Sequence, residues 1–137
     1  VHQLAMFTMF ESPLQMLCDS PSAYRREAEC FAFMSKVPTV WDETVGLDGK
    51  LADYALVARR KGDFWYVGAM TDWTERDLEI DLAGIAGGPV SVDSYVDGMA
   101  ADKFANDFRR LKYDASGKIK VHLAPRGGFA AKLVSKQ

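Results

Sequence analysis

At about Thr39 the spacing of apolar residues along this 137-residue chain changes from helical to alternating, and that change limits the folds open to it. Downstream, "RDLEIDLAGI" sets Leu78, Ile80 and Leu82 on one face and Asp77, Glu79 and Asp81 on the other. "GKIKVHLAP" does the same with Ile119, Val121 and Leu123 against Lys118, Lys120 and His122. Period-two alternation is what a strand buried on one side requires, because successive side chains leave opposite faces. "DYALVARR" and "DFWYVGAMT" are apolar on both faces, as central strands are, and "RKGD" between them predicts a hairpin turn. Further strands are expected at "PTVWDETV", "GPVSVDSYVD", "DFRRLKYD" and "GGFAAKLV", with turns at "LDGK", "AGGP", "DGMAAD" and "DASGK". Seven or eight short strands in about a hundred residues predict an antiparallel β-sandwich.

The first 37 residues follow another pattern. In "HQLAMFTMFE", Leu4, Phe7 and the Met9–Phe10 pair recur at helical spacing, and Ala5 and Met6 are apolar as well. A helix apolar nearly all round packs on more than one side. Pro13 is expected to end it, since proline removes a backbone donor and disfavours the helical conformation at Ser12. "PLQMLC" is short and apolar, with the length of a buried strand. Ser20 followed by Pro21 has N-cap chemistry, and helical character continues as far as Pro38. Helix, strand, helix make one α/β unit, and a single buried strand needs neighbours on both sides.

Composition closes off several functions. A net charge of −2 carries no basic footprint for nucleic acid. A hydrophobic share of 48% with 26% charged residues supports a sizeable core and argues against disorder. Glu11 and Pro13 interrupt the opening apolar run, which has no early Lys or Arg, so it fits neither a secretory signal nor a membrane span. Cys18 and Cys30, without CxxC spacing, are expected to be buried and reduced.

No chemical constellation assembles from the spacing. The only histidines, His2 and His122, lie far apart, no serine sits in a GxSxG elbow, and neither cysteine has an identifiable base. Most carboxylates fall in turns or at strand ends, where Asp bonds its own backbone. Asp19 is set apart by following the apolar "PLQMLC" segment, since strand ends of α/β barrels carry their active sites; helix capping is the ordinary alternative. Among the aromatics Phe64, Trp65, Tyr66, Trp73 and Trp41, Trp73 lies in a turn and is the ring best placed to stack on a sugar. "APRGGFAAKL" leads into a strand and lacks GK[ST], so it is no phosphate loop.

Taken together, "HQLAMF", "ESPLQMLCDSP", "KVPTVWDETVGLDGK", "VARRKGDFWYVGAMTDWT", "VDGMAAD" and "VHLAPRGGFAAKL" resemble the C-terminal end of glycoside hydrolase family 97 over essentially the whole chain. That family comprises α-glucosidases and α-galactosidases, mostly of Bacteroidetes, exported to the periplasm or beyond. The resemblance implies a mainly β fold in which residues 1–37 are the last α/β unit of a (β/α)8 barrel and residues 38–137 a C-terminal oligomerisation β-sandwich. It places the catalytic carboxylates and a calcium ion upstream, so it implies no catalytic residue, metal ligand or cofactor in this chain, and that the chain is part of a longer polypeptide. Its partners would be the barrel or a second copy. The expected interface anchors are Phe7, Phe10, Phe31, Phe33, Trp41 and Trp65, which the isolated chain should expose. Asp19 is the candidate at the substrate rim, and Trp73 serves the alternative of a carbohydrate-binding module.

Overall fold

The computed structural model describes residues 1–12 and 14–136. Eight strands form: β1 (Glu43–Lys50), β2 (Tyr54–Lys61), β3 (Phe64–Thr71), β4 (Arg76–Asp81), β5 (Val90–Asp97), β6 (Phe108–Ala115), β7 (Lys118–Leu123) and β8 (Gly128–Ser135). Six of them make an antiparallel sheet in the order β1-β2-β3-β8-β5-β6, and β4 pairs with β7 in a separate ribbon. The alternation picks out that ribbon: Leu78, Ile80, Val121 and Leu123 face inward, while Asp77 opposes His122 and Asp81 opposes Lys118 outside. Leu56, Val67, Phe129 and Leu133 meet them from the large sheet, and this is the sandwich core.

β3 and β8 occupy the middle of the large sheet and are buried on both faces, which is why "DFWYVGAMT" does not alternate. Their second face is covered by helices. The opening residues form α1 (His2–Met9), and the next helical stretch is split into α2 (Pro21–Arg26) and α3 (Ala28–Met34) by Glu27, at φ −103 and ψ 46. As the sequence predicts, Ser20 caps α2, its hydroxyl accepting the Ala23 N–H at 3.3 Å, with Pro21 in the first turn. Leu4, Phe33 and Val37 join Tyr66, Tyr95 and Ala130 in a second core on this outer face.

Gly68 makes the seat of α1. A Cβ there would lie 2.8 Å from Met9 Cγ, 3.1 Å from the Ala5 carbonyl and 3.2 Å from Thr8 Cβ, so the helix backbone meets the sheet where a side chain is missing. The helix expected to pack against parts outside this chain therefore rests one side on the chain's own sheet.

Three other expectations are corrected. Residues 14–18 of "PLQMLC" form no strand and are exposed or half-buried, because among the described residues no other strand lies beside them. Pro13, the expected helix stop, lies outside the described residues; α1 closes at Phe10, whose N–H reaches the Met6 carbonyl. "LDGK" is no turn but the end of β1, which carries an irregularity between Gly46 and Asp48; the turn follows at residues 51–53.

The second core sets an alkaline limit on stability. Tyr95 is 1% exposed and donates its hydroxyl to the Glu29 carbonyl at 3.0 Å, against the ring of Phe33. Burial pushes its phenol up to about 12, against the neighbouring Arg110. A phenol raised above its unfolded value near 10 stabilises the fold fully below that pH, and the contribution drains away as pH rises toward 12. We expect unfolding to steepen across pH 10–12 for this chain and to flatten in Tyr95→Phe, read by circular dichroism against pH; identical profiles would discard the assignment.

Candidate interaction surfaces

Both ends of α1 are pinned. At its start, Asp97, the last residue of β5, places Oδ2 at 3.1 Å from the Ala124 N–H and 2.8 Å from the Gly128 N–H. Its Oδ1 lies 3.3 Å from the Val1 nitrogen, with the side chain 1% exposed. His2 Nδ1 meets the Gly127 carbonyl at 3.1 Å. A side chain on Gly127 would collide with Asp97 Oδ2, so the paired glycines of "PRGGF" let the β7–β8 turn close around this carboxylate. At the far end, Arg59, 5% exposed, donates Nη2 to the Met9 carbonyl at 2.9 Å, a cation at a helix C-terminus. Its guanidinium lies 5.7 Å from the Trp41 ring.

The opposite side of α1 is open. Met6, Phe7 and Phe10 line a groove of about 610 Å³ together with Leu14, Met16 and Leu17. Leu14 and Met16 are each 74% exposed. A second groove of about 480 Å³ runs from Val1 and Leu4 past Tyr24 to Ala101 and Phe108, and Asp19 borders both. Contiguous apolar surface of this kind marks a place where something else packs.

The predicted anchors divide. Phe7 is half-buried at the open groove, Phe10 is 52% exposed and Phe31 36%. Trp41 is half-buried, edge-on to Tyr66. The expectation fails for Phe33 and Trp65, 7% and 8% exposed: Phe33 packs on Tyr95 in the outer core, and Trp65 points into the sandwich core. Neither cysteine is bridged, and Cys18 is exposed, against the expectation of burial, because the segment carrying it has no sheet to enter. Burial, with Glu27 nearby, pushes the Cys30 thiol up, away from the reactive thiolate.

Asp19 is exposed; its carboxylate accepts the Ser20 N–H at 2.6 Å while its own N–H donates to the Tyr24 hydroxyl. Trp73 is 75% exposed, with the Arg126 guanidinium 4.6 Å from its ring, so one face of the ring is engaged. Leu51, Met99 and Phe104 stand out equally far, 97%, 100% and 60% exposed. Sequence reasoning passed over Met99 because it sits in "DGMAAD", read as a turn, and over Leu51 and Phe104 because they fall between the stretches that were read; an apolar side chain in a short connection was the available signal. Asp97 was passed over too, as one more turn carboxylate. Among the described residues no group of three or more His, Cys, Asp or Glu is placed to hold a metal ion.

A sandwich that carries a helical arm on one sheet face, and leaves the arm's far side apolar and open, defines an interface-forming domain. A profile described as glycosyl-hydrolase 97 C-terminal, oligomerisation, matches residues 40–134, more than half of the chain. The chain belongs to that family. It is 48% identical over 133 residues to a retaining alpha-galactosidase of Bacteroides thetaiotaomicron, covering 96% of this chain and 20% of that protein. A probable retaining alpha-galactosidase of Streptomyces bingchenggensis is 27% identical over 129 residues, covering 94% and 20%. The solved structure of a glycoside hydrolase family 97 enzyme from Pseudoalteromonas sp. strain K8, in complex with acarbose, matches with a TM-score of 0.90 at 33% identity, over 99% of this chain and 22% of that one. The chain thus spans about a fifth of the length of the curated relatives it matches.

Proposed function

We propose that the chain is the docking and oligomerisation portion of a retaining α-glycosidase acting on α-galactosides, with the hydrolytic carboxylates and calcium in the barrel portion of that longer protein. The observation that carries this reading is the two-sidedness of α1: Gly68, Asp97 and Arg59 lock one side to the sandwich, while Phe7 and Phe10 face an open groove with Leu14 and Met16. A barrel of which residues 1–37 are the last unit supplies the missing cover. The 48% identity to an alpha-galactosidase favours galactosides over glucosides. Asp19, bordering both grooves, suits a place at the substrate rim, and export to the periplasm or beyond fits the family.

Assayed with an aryl α-galactoside and an aryl α-glucoside, the longer protein is expected to turn over the galactoside faster and to lose activity on chelation of calcium. The 137-residue chain alone is expected to release no nitrophenol from either. Turnover by the chain alone would overturn the reading, and preference for the glucoside would overturn its substrate half.

A further inference from the structure

We infer that a second copy of the chain docks on the loop end of the sandwich formed by Leu51, Trp73, Met99 and Phe104; this rests on the oligomerisation reading above and names its surface. These residues lie in three connections: β1–β2, β3–β4 and β5–β6. All three open at the same end of the large sheet, since Tyr54 pairs with Thr71, Met70 with Gly128, and Asp97 with Phe108.

The loops are linked to one another. The Asp72 N–H donates to the Asp53 carbonyl at 2.8 Å, tying the Leu51 turn to Trp73. Arg126 stacks on Trp73 at 4.6 Å and lines the same groove as Ala101 and Ala105, which flank Phe104 and follow Met99. The loop end thus gathers four exposed apolar side chains around a tethered tryptophan–arginine pair, and those two residue types dominate binding at protein interfaces.

Three other surfaces suit a second copy less well. The residues matched by the oligomerisation profile, 40–134, include all four side chains and exclude the α1 groove, which residues 3–34 line. The two edges of the large sheet are less suited to strand addition: β1 is irregular at Gly46–Asp48, and β6 sets Arg109, Arg110 and Lys112 among its exposed Leu111 and Tyr113. The opposite end carries the Arg60–Glu43 and Lys61–Asp42 ion pairs beside Phe64 and Val134, and the Lys132 ammonium lies 3.7 Å over the Phe64 ring. A contact through the loop end repeats the same patch on both copies and closes as a two-fold dimer.

The test uses Leu14→Ser/Met16→Ser as background, which removes the sticky groove at two exposed positions. Sedimentation equilibrium is expected to show a dimer in that background and at least a hundredfold weaker association once Trp73→Ser, Met99→Ser and Phe104→Ser are added, with unchanged circular dichroism. Trp73 emission should shift to the blue as the background protein is concentrated. A dimer that survives the added substitutions overturns the surface and leaves the oligomerisation reading standing. A chain monomeric at every concentration overturns both. Trp73 emission that answers to a galacto-oligosaccharide and not to protein concentration makes the cluster a sugar platform and overturns the inference.

Discussion

Replacing Asp97 with alanine is expected to cost about 4 kcal/mol, because it strands two buried backbone donors at roughly 1–3 kcal/mol each. For a chain of this length that lowers the Tm by about 15 °C. One carboxylate holds together the end of β5, the β7–β8 turn and the start of α1, through the Gly128 and Ala124 N–H groups and the Val1 nitrogen. Alanine leaves those nitrogens facing each other in a site closed to water. Asparagine should cost about half as much, since its carbonyl oxygen still accepts from Ala124 and Gly128 while its amide opposes Val1. Calorimetry or thermal circular dichroism decides the matter: a loss under 3 °C for Asp97→Ala, or asparagine worse than alanine, removes Asp97 from its place as the clasp.

Gly68→Leu is expected to lever α1 off the sheet at a cost of about 3 kcal/mol, the upper range for forcing atoms into a packed site. The helix has nowhere to retreat, since the leucine must occupy the space of Met9, Thr8 and the Ala5 carbonyl. Hydrogen exchange over residues 2–10 should then quicken roughly a hundredfold while β3, β5 and β8 keep their protection. Gly68→Ala should do the same in lesser degree, since its Cβ already crowds Met9, the Ala5 carbonyl and Thr8. Exchange that stays slow over α1, or that quickens equally in the central strands, would show that the helix is not a separately seated element.

The strands were legible for a simple reason. Where one face is buried and the other wet, as in β4 and β7, the alternation is written residue by residue, and the charged partners Glu79 and Lys118, 2.7 Å apart, sit where it puts them. Where a strand is covered on both faces, as in β3, length and the flanking turn carried the reading. The failures came where context overrides pattern. Asp48 and Gly49 in "LDGK" spell a turn, yet ladder bonds to β2 hold them as an edge strand that tolerates an irregularity. Leu14, Met16 and Leu17 spell a buried strand, yet burial is a property of neighbours, and the chain provides none at that place. Phe33 and Trp65 illustrate the converse: aromatic residues that look like anchors for a partner were claimed by Tyr95 and by the ribbon of β4 and β7. The loop-end surface was hidden because it is assembled from single residues of separate turns, each unremarkable alone.

The position of β8 has a consequence for synthesis. It is the last strand in the sequence, yet it lies between β3 and β5, and its Gly128 and Ala130 form part of the floor under α1. Until β8 is made the sheet stays in two halves, β1-β2-β3 and β5-β6, with inward edges bare, and the first helix has no bed to lie on. Closure joins His2 to Gly127, more than a hundred residues apart, a slow kind of contact to make. The greasy helix must therefore wait, uncovered, for β8 to arrive, and that interval is when a nascent chain most needs a chaperone.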